Sequence, residues 1–307
     1  MDRHRQMTIF GCVARERGLA AAARALGVSE ATVGRSLAAL ERRLGTLLFE
    51  RNTRGVQLTA AGRQFALDCS RLLQAADEAD ASASGLHSEP RGSLTLVTPL
   101  LFGERLLMPV ALDFLDAWPG IELSVAYQER FPNLHEEGVD VAVLIGALPD
   151  AYMVARRVGQ VRQMLCASPS YLRDHPAPVS PDHLINHSMV VCGHDHRGLE
   201  EYLQRSGSPR RLALRPGLRC TTQLATLKAA LGGLGLVSCL SHEVQEHLRT
   251  GCLLPVLGAF EPEPLPVHLV YREGRRASAK VRSFVDFAVN RLREHPLLNI
   301  PGADHRS

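Results

Sequence analysis

The first half of the N-terminal region shows apolar positions at helical spacing in two short segments. Apolar side chains recur at near-helical intervals over residues 7–14, and the alanine-rich run at residues 20–26 predicts a second helix. Gly27 follows that run and is suited to a helix C-terminus, because glycine adopts left-handed backbone angles without steric cost. The pattern therefore predicts two short helices and a tight turn.

A third helix is predicted over about residues 30–44, with Ser29 as its N-cap. One face is apolar at intervals of four, three and four residues, and consists of Val33, Leu37, Leu40 and Leu44. The opposite face has mostly short side chains around one arginine, and consists of Glu30, Ala31, Thr32, Arg35, Ser36 and Ala39. Such a face fits a DNA major groove, where arginine can bind guanine and threonine can contact a thymine methyl group. The order of helix, turn and helix predicts a helix-turn-helix.

Residues 47–59 predict a β-hairpin, because the tetrapeptide at 52–55 has the residue types of a tight turn. Arg51, Thr53 and Arg54 lie at or beside this tip. We expect them to form a wing that contacts phosphates or a minor groove.

A long helix is predicted over about residues 60–87, roughly 40 Å in length at 1.5 Å per residue. Its apolar seam alternates in steps of four and three residues, and consists of Phe65, Cys69, Leu72, Ala76, Ala79, Ala83 and Leu86. The spacing alone leaves two interpretations open, packing on the helix's own domain or pairing with a second chain. Residues 88–92 interrupt the helix and predict a domain boundary.

From Ser93 onward strand-like and helix-like segments alternate, which predicts an α/β fold with a mainly parallel sheet. The sequences at residues 94–99 and 164–169 are similar to each other, which indicates two related lobes with a ligand cleft between them. Ligands in such clefts bind at strand ends and helix N-termini. The candidate effector-binding residues at these places are Thr98, Pro99, Leu100, Gln128, Gly146, Thr221 and His268.

Charge is unevenly distributed along the 307 residues, although the net charge is only +3. The first sixty residues contain ten arginines and no lysine against five acidic residues, which favours a polyanionic partner for this end. The length predicts about two domains, and no apolar stretch is long enough for a membrane span. Seven cysteines without a Cys-x-x-Cys pair fit a reduced, cytoplasmic compartment.

Catalytic and metal-binding patterns are weak. No Gly-x-Ser-x-Gly motif occurs, and the glycine-rich stretch at 232–236 follows a helix and precedes a strand, the reverse of a dinucleotide-binding site. Cys192, His194 and His196 fit no standard zinc spacing. We therefore expect no enzyme activity, no cofactor and no metal.

Three segments together resemble the DNA-binding region of LysR-type transcriptional regulators. They are residues 21–29, 40–45 and 48–62, an ungapped match over about fifty residues. Residues 139–143, 155–159 and 167–172 look like the effector-binding half of the same family. The resemblance thus covers essentially the whole chain.

The resemblance implies a winged helix-turn-helix at residues 1–59, a linker and dimerisation helix at 60–90, and a two-lobed, periplasmic-binding-protein-like α/β effector domain at 91–307. Lobe I would span about 91–160 with 266–300, and lobe II about 161–265. The implied partners are double-stranded DNA, a small-molecule effector and a second or further copies of the chain, as a homodimer or homotetramer without a membrane.

Four positions depart from the family pattern: Ala20, Glu30, Gly34 and Leu144. Glu30 and Gly34 stand where the family commonly has Gln and Ser, and Leu144 stands where relatives often carry Arg. The first two changes leave a rival interpretation, a small-molecule-binding protein with weakened DNA binding. An enzyme that uses the α/β cleft is a second alternative.

Overall fold

The computed structural model describes residues 2–52, 55–83, 90–134, 136–148, 153–193, 203, 215–272 and 278–299. The chain divides into two compact units, residues 1–88 and 89–307. Within the described residues no helix combines the length and the hydropathy needed to cross a lipid bilayer.

The first unit begins with three helices, as the sequence predicts. They are α1 (Arg3–Glu16), α2 (Leu19–Leu26) and α3 (Glu30–Leu44). Gly27 ends α2 in a left-handed conformation, and Ser29 caps α3 by accepting a hydrogen bond from the backbone N–H of Thr32. A hairpin of β1 (Phe49–Asn52) and β2 (Gly55–Leu58) follows, and then the long helix α4 (Ala60–Ala83).

The core of this unit is built around Phe10, which is completely buried. Its ring lies 5.1 Å from the rings of both Phe49 in the hairpin and Phe65 in α4. Cys69, one turn further along α4, is also buried in this cluster. Phe65 and Cys69 thus pack on the core of their own unit, the first of the two interpretations that the seam left open, and their part in a contact between chains stays a prediction.

The second unit contains two five-stranded sheets, one in each lobe. The sheet of lobe I has the order β4-β3-β5-β12-β6 and consists of β3 (Gly92–Thr98), β4 (Ile121–Tyr127), β5 (Val141–Ile145), β6 (Val154–Val161) and β12 (Leu265–Tyr271). The sheet of lobe II has the order β11-β7-β10-β8-β9 and consists of β7 (Gln163–Ala167), β8 (Ser188–Cys192), β9 (Arg215–Cys220), β10 (Leu236–Leu240) and β11 (Leu254–Val256).

Six helices pack on these sheets in the described residues. They are α5 (Leu100–Phe102), α6 (Met108–Ala117), α7 (Pro169–Asp174), α8 (Gln223–Leu231), α9 (Ser241–Arg249) and α10 (Ala279–Arg293). A π-helical turn, Gly103–Leu107, joins α5 to α6. Helices α6 and α10 cover one face of the lobe I sheet, where Phe114 and Phe284 meet edge to face with their ring centroids 5.1 Å apart.

Both sheets are mixed, but four of the five strands in each run in one direction, in agreement with the predicted mainly parallel sheet. In lobe I, β3 is parallel to β4 and β5, whereas β12 is antiparallel to β5 and β6. In lobe II, β8 is parallel to β9 and β10, whereas β7 is antiparallel to β10 and β11. The reversed strands, β12 in lobe I and β7 in lobe II, each follow a segment in which the chain passes from one lobe to the other. In one of these segments only Arg162 separates β6 of lobe I from β7 of lobe II.

The lobes contact one another through α5. Leu101 is buried in a cluster whose other members belong to lobe II, among them Met164, Leu227 and Val244. Next to it, the ring of Phe102 lies edge to face with that of His242, with 5.5 Å between centroids. The two lobes therefore share a small apolar interface.

Candidate functional site

Helix α3 has one dry face and one exposed face. Val33, Leu37 and Leu40 are buried, whereas Glu30 and Ala31 are exposed. The hydroxyl of Ser29 lies 2.8 Å from that of Thr32 and accepts from the Thr32 N–H at 3.2 Å, which fixes the start of the helix.

Arg35 is exposed near the middle of the outer face of α3. Its Nε donates to the carbonyl oxygen of Ala31 at 3.3 Å, one turn earlier in the helix. Arg35 thus has the exposure and the donors that recognition of a base edge requires.

Ser36 corrects the predicted set of DNA contacts. It is only 1% exposed, and its hydroxyl has no hydrogen-bond partner among the described residues. The reason is helical periodicity, since position 36 is three residues after Val33 and four before Leu40 and so falls on the apolar face. Leu44, assigned to that face, is instead partly exposed at the end of the helix.

The wing is positioned by a residue that the sequence analysis did not select. The carboxylate of Glu41, on α3, accepts from the backbone N–H groups of Leu48 at 2.7 Å and Phe49 at 3.2 Å. Arg51 lies on β1, opposite Val56. Thr53 and Arg54 lie outside the described residues.

The remaining seam positions of α4 differ in their surroundings. Leu72 is 56% exposed, and Ala76 is half-buried. Ala79 and Ala83 lie further along the helix, and Leu86 lies outside the described residues. Among the seam residues that the structure describes, Leu72 is therefore a large apolar side chain that the first unit leaves exposed.

The structure brings several predicted effector-binding residues to one edge of the lobe I sheet. Thr98 ends β3, and its carbonyl oxygen accepts from the N–H of Gln128, which follows β4, at 3.0 Å. Gly146 follows β5, the other parallel neighbour of β3. Pro99 and Leu100 begin the helix that continues from β3, and both are half-buried.

Thr98 itself is completely buried, which corrects its assignment as a side chain that contacts an effector. Its methyl group packs so closely on Gly103 that a Cβ there would lie 2.4 Å away. In lobe II, Thr221 follows β9 and is exposed. Thr98 therefore stabilises the strand end, while Thr221 remains accessible.

His268 lies in β12, between Leu144 of β5 and Arg157 of β6. It is 9% exposed, and its Nδ1 has no hydrogen-bond partner in the described part of the chain. Burial, and to a smaller degree the positive charge of Arg157, lower the pKa of His268. Its imidazole is therefore neutral near pH 7.

Two carboxylates near the lobe boundary were missed by the sequence analysis. Glu129 accepts from the N–H of Leu100 at 3.4 Å, and Glu243 accepts from the N–H of Leu240 at 2.8 Å and from Nε2 of Gln223 at 3.1 Å. Burial raises the pKa of Glu243 to about 7, with a smaller contribution from the charge of Glu129. The position of Glu243 in the first turn of a helix was the available signal.

No group of three His, Cys, Asp or Glu side chains is placed to hold a metal ion among the residues that the structure describes. His194 and His196 lie outside those residues. Together, the winged helix-turn-helix and the two-lobed α/β unit define a DNA-binding protein with a ligand-binding module.

Comparison with protein families agrees with this class. A family model described as "LysR substrate binding domain" matches residues 87–293, and one described as "Bacterial regulatory helix-turn-helix protein, lysR family" matches residues 4–63. A transcriptional regulator of Xanthomonas campestris pv. campestris is 32% identical over 289 residues, covering 92% of this chain and 84% of the relative. The regulator DmlR of Escherichia coli is 30% identical, covering 94% of each chain.

Solved structures show the same fold. CrgA, a LysR-type transcriptional regulator from Neisseria meningitidis, is 27% identical with a TM-score of 0.57, over 95% of this chain and 99% of CrgA. Full-length OxyR from Pseudomonas aeruginosa has a TM-score of 0.69 over 96% of this chain and 99% of its own, and at 18% identity it supports the fold alone.

The chain belongs to the LysR family of bacterial transcriptional regulators. It is a DNA-binding transcriptional regulator with a C-terminal effector-binding domain. Regulators of this family bind DNA and small-molecule effectors and form oligomers.

Proposed function

We propose that α3 enters the DNA major groove and that its exposed face reads the bases. The proposed base contacts are Glu30, Ala31, Thr32 and Arg35, and the proposed backbone contacts are Ser29, Arg51, Thr53 and Arg54. The observation that carries this proposal is the division of α3 into a dry leucine face and an exposed face with Arg35 on it.

We further propose that the protein acts as a homodimer or homotetramer in the cytoplasm, where the chromosome is accessible. Two copies would present two recognition helices to a site with two-fold related halves. The exposed Leu72 on α4 supports a role of this helix in the contact between copies.

A small effector would bind between the lobes and change their relative position. Pro99, Leu100, Gln128 and Gly146 on the lobe I side and Thr221 on the lobe II side are the proposed contacts. Their support is their position at strand ends and at the start of α5. His268 also stays a predicted contact, because its buried Nδ1 has no hydrogen-bond partner in the described part of the chain. An effector acts by binding one arrangement of the lobes more tightly than the other.

The test is DNA binding by full-length variants, with target sequences selected from a random pool. Arg35→Ala should weaken binding to the selected site by about fivefold to 150-fold and relax preference at one base pair, because a bidentate contact to guanine contributes ~1–3 kcal/mol. Arg54→Ala should weaken binding to all sequences and reduce the salt dependence. Arg173→Ala, an exposed arginine on α7, is the control and should bind like the parent.

Unchanged binding of both Arg35→Ala and Arg54→Ala to selected and random DNA would contradict the assigned surface. If the parent selected no sequence from the pool, the rival interpretation of a small-molecule-binding protein with weakened DNA binding would be favoured instead.

A further inference from the structure

An open surface cavity of about 390 Å³ lies on the outer edge of the lobe I sheet, at β6. It is formed by β6, the end of α10 and the turn that follows α10. Its polar lining residues are Arg157, Gln160, Arg293 and Asn299. Its volume is within the range of small-molecule sites.

The chain builds this cavity through a close approach of two segments. The N–H of Gln160 donates to the carbonyl oxygen of Leu298 at 3.0 Å, and residues 160 and 299 form a bridge. Gly159 permits this contact, because a Cβ there would lie 2.6 Å from both the Cβ and the carbonyl oxygen of Leu298. The turn after α10 is thereby fixed against the edge strand.

The two arginines of the cavity are held in place by bonds that use only part of their donors. Nη2 of Arg157 donates to the side-chain oxygen of Gln160 at 2.9 Å, and Nε of Arg293 donates to the carbonyl oxygen of Arg157 at 3.0 Å. Asn299 in turn donates from its side-chain amide to the carbonyl oxygen of Arg293. Nη1 of Arg157 and both terminal nitrogens of Arg293 have no partner among the described residues.

The electrostatics of this cavity favour an anion. Two guanidinium groups share it, and no carboxylate is among the described residues that line it. Arginine keeps its charge at physiological pH, and both side chains are exposed, so their donors are accessible to an anion from solution. The fork of donors on each guanidinium matches the oxygens of a carboxylate or phosphate.

We propose that this cavity is a second ligand site, which binds a small oxyanion between Arg157 and Arg293. The ligand class is a compact molecule with a carboxylate or phosphate group. The site differs from the effector cleft, since its lining residues are at the outer edge of the sheet.

The site lies close along the chain to the boundary between the two lobes, so that binding there can affect this boundary. Arg157 lies on β6 five residues before Arg162, the single residue between the sheets of the two lobes. The N–H of Arg162 donates to the Ser241 hydroxyl of lobe II at 3.1 Å. An anion that stiffens the end of β6 would therefore act close to the crossing.

The experiment is isothermal titration calorimetry of the full-length protein with inorganic phosphate and, separately, with succinate. The buffer contains no competing oxyanion. Succinamide, which is similar in shape but uncharged, is the ligand control. Arg157→Gln and Arg293→Gln should each weaken binding of the anion by about tenfold or more, because each removes charged donors. Arg291→Gln is the protein control, since Arg291 lies on the same helix and pairs with Asp113 instead.

Saturable binding of phosphate, of succinate or of both, lost in the two cavity variants and kept in Arg291→Gln, would support the proposal and identify the anion class. Equal binding of succinamide, no saturable binding up to millimolar concentration, or binding that is unchanged in both cavity variants would overturn it. DNA binding is not part of this measurement, so its outcome is independent of the proposed function.

Discussion

Glu243 shows how much the surroundings of one residue change its chemistry. Its carboxyl group is buried at the start of α9, and burial raises its pKa from the ordinary 4.5 to about 7. The hydrogen bonds from Leu240 and Gln223 favour the charged form, but the loss of hydration outweighs them. The folded protein therefore holds a proton there that the unfolded chain releases at lower pH.

This difference makes stability depend on pH in a defined direction. Between about pH 4.5 and 7 the native state binds more protons at Glu243 than the unfolded state, so the contribution of Glu243 to the free energy of unfolding falls as pH rises through this interval and levels off above it. The neighbouring His242, whose pKa burial lowers to about 3, contributes in the opposite direction up to about pH 6.5. The full effect of Glu243 is on the order of 3 kcal/mol. Glu243→Gln, which is uncharged at every pH, should remove this contribution. The free energy of unfolding of the parent minus that of the variant should therefore fall as pH rises across the interval, as measured by urea denaturation.

Glu246→Gln is the matched control, because Glu246 is exposed on the same helix and pairs with Arg249. The difference in free energy of unfolding between the parent and this variant should stay nearly constant between pH 4.5 and 7. A Glu243→Gln variant whose free energy of unfolding changes with pH in the same way as that of the parent would contradict the assignment.

Individual residues also show where reasoning from sequence ends. The apolar face of α3 was predictable because Val33, Leu37 and Leu40 repeat at helical spacing, and all three are buried. Ser36 was assigned to the outer face because it is polar, although its angular position is with these residues. A small polar residue fits either face, so its residue type carries little information about burial.

At the scale of elements, the contact between the wing and α4 depends on one glycine. A Cβ on Gly62 would lie 2.0 Å from the carbonyl oxygen of Leu48, a backbone atom that cannot rotate away. Thr59 reinforces this corner, because its hydroxyl donates to the carbonyl oxygen of Leu47 at 2.8 Å and accepts from the N–H of Gly62 at 2.9 Å.

Gly62→Ala should destabilise the first unit by about 1–3 kcal/mol, because the helix and the wing must move apart. Gly34→Ala is the control within a helix, since nothing lies within 4 Å of a Cβ at that position. It should stabilise the protein by about 0.5–1 kcal/mol through helix propensity. Thermal unfolding measures the stability of both variants. Equal changes of the same sign in Gly62→Ala and Gly34→Ala would contradict the close contact at Gly62.

Elements with strong local signals were predicted well, and those without them were not. The bounds of α3 agree with the predicted ones because its capping residue and its apolar spacing coincide. Strand β6 was not predicted as a whole, since it contains Arg156 and Arg157 and pairs through a register shift at residues 267 and 268 of β12. Its strand character comes from the neighbouring strand rather than from its own pattern.

At the scale of the whole molecule, the exposed Leu72 on α4 is a candidate contact between two copies of the chain. If a second chain covers it, Leu72→Lys should weaken self-association by about tenfold or more, because it places a charge in an apolar contact. Ile185→Lys, at a similarly exposed apolar position in lobe II, should associate like the parent. Sedimentation velocity over a range of protein concentrations measures both, and parent-like association of Leu72→Lys would contradict a role for this residue.

The division of the seam on α4 has a physical explanation. Heptad spacing predicts which residues share a face, but it does not say which partner that face meets. The first part of the seam, Phe65 and Cys69, is covered by the protein's own core around Phe10. The mixed sheets have a similar cause, since the two crossing segments that join the lobes depend on the path of the whole chain.

The placement of Leu101 sets an energetic threshold for any movement of the two lobes. This side chain starts from lobe I but is buried among lobe II residues, so separating the lobes would return it to water. Re-exposing a leucine costs about 2 kcal/mol, which corresponds to a ratio of roughly thirty between the docked and the undocked populations. A molecule that prefers the undocked form by more than that ratio would invert the balance, and shortening this one side chain would lower the preference required.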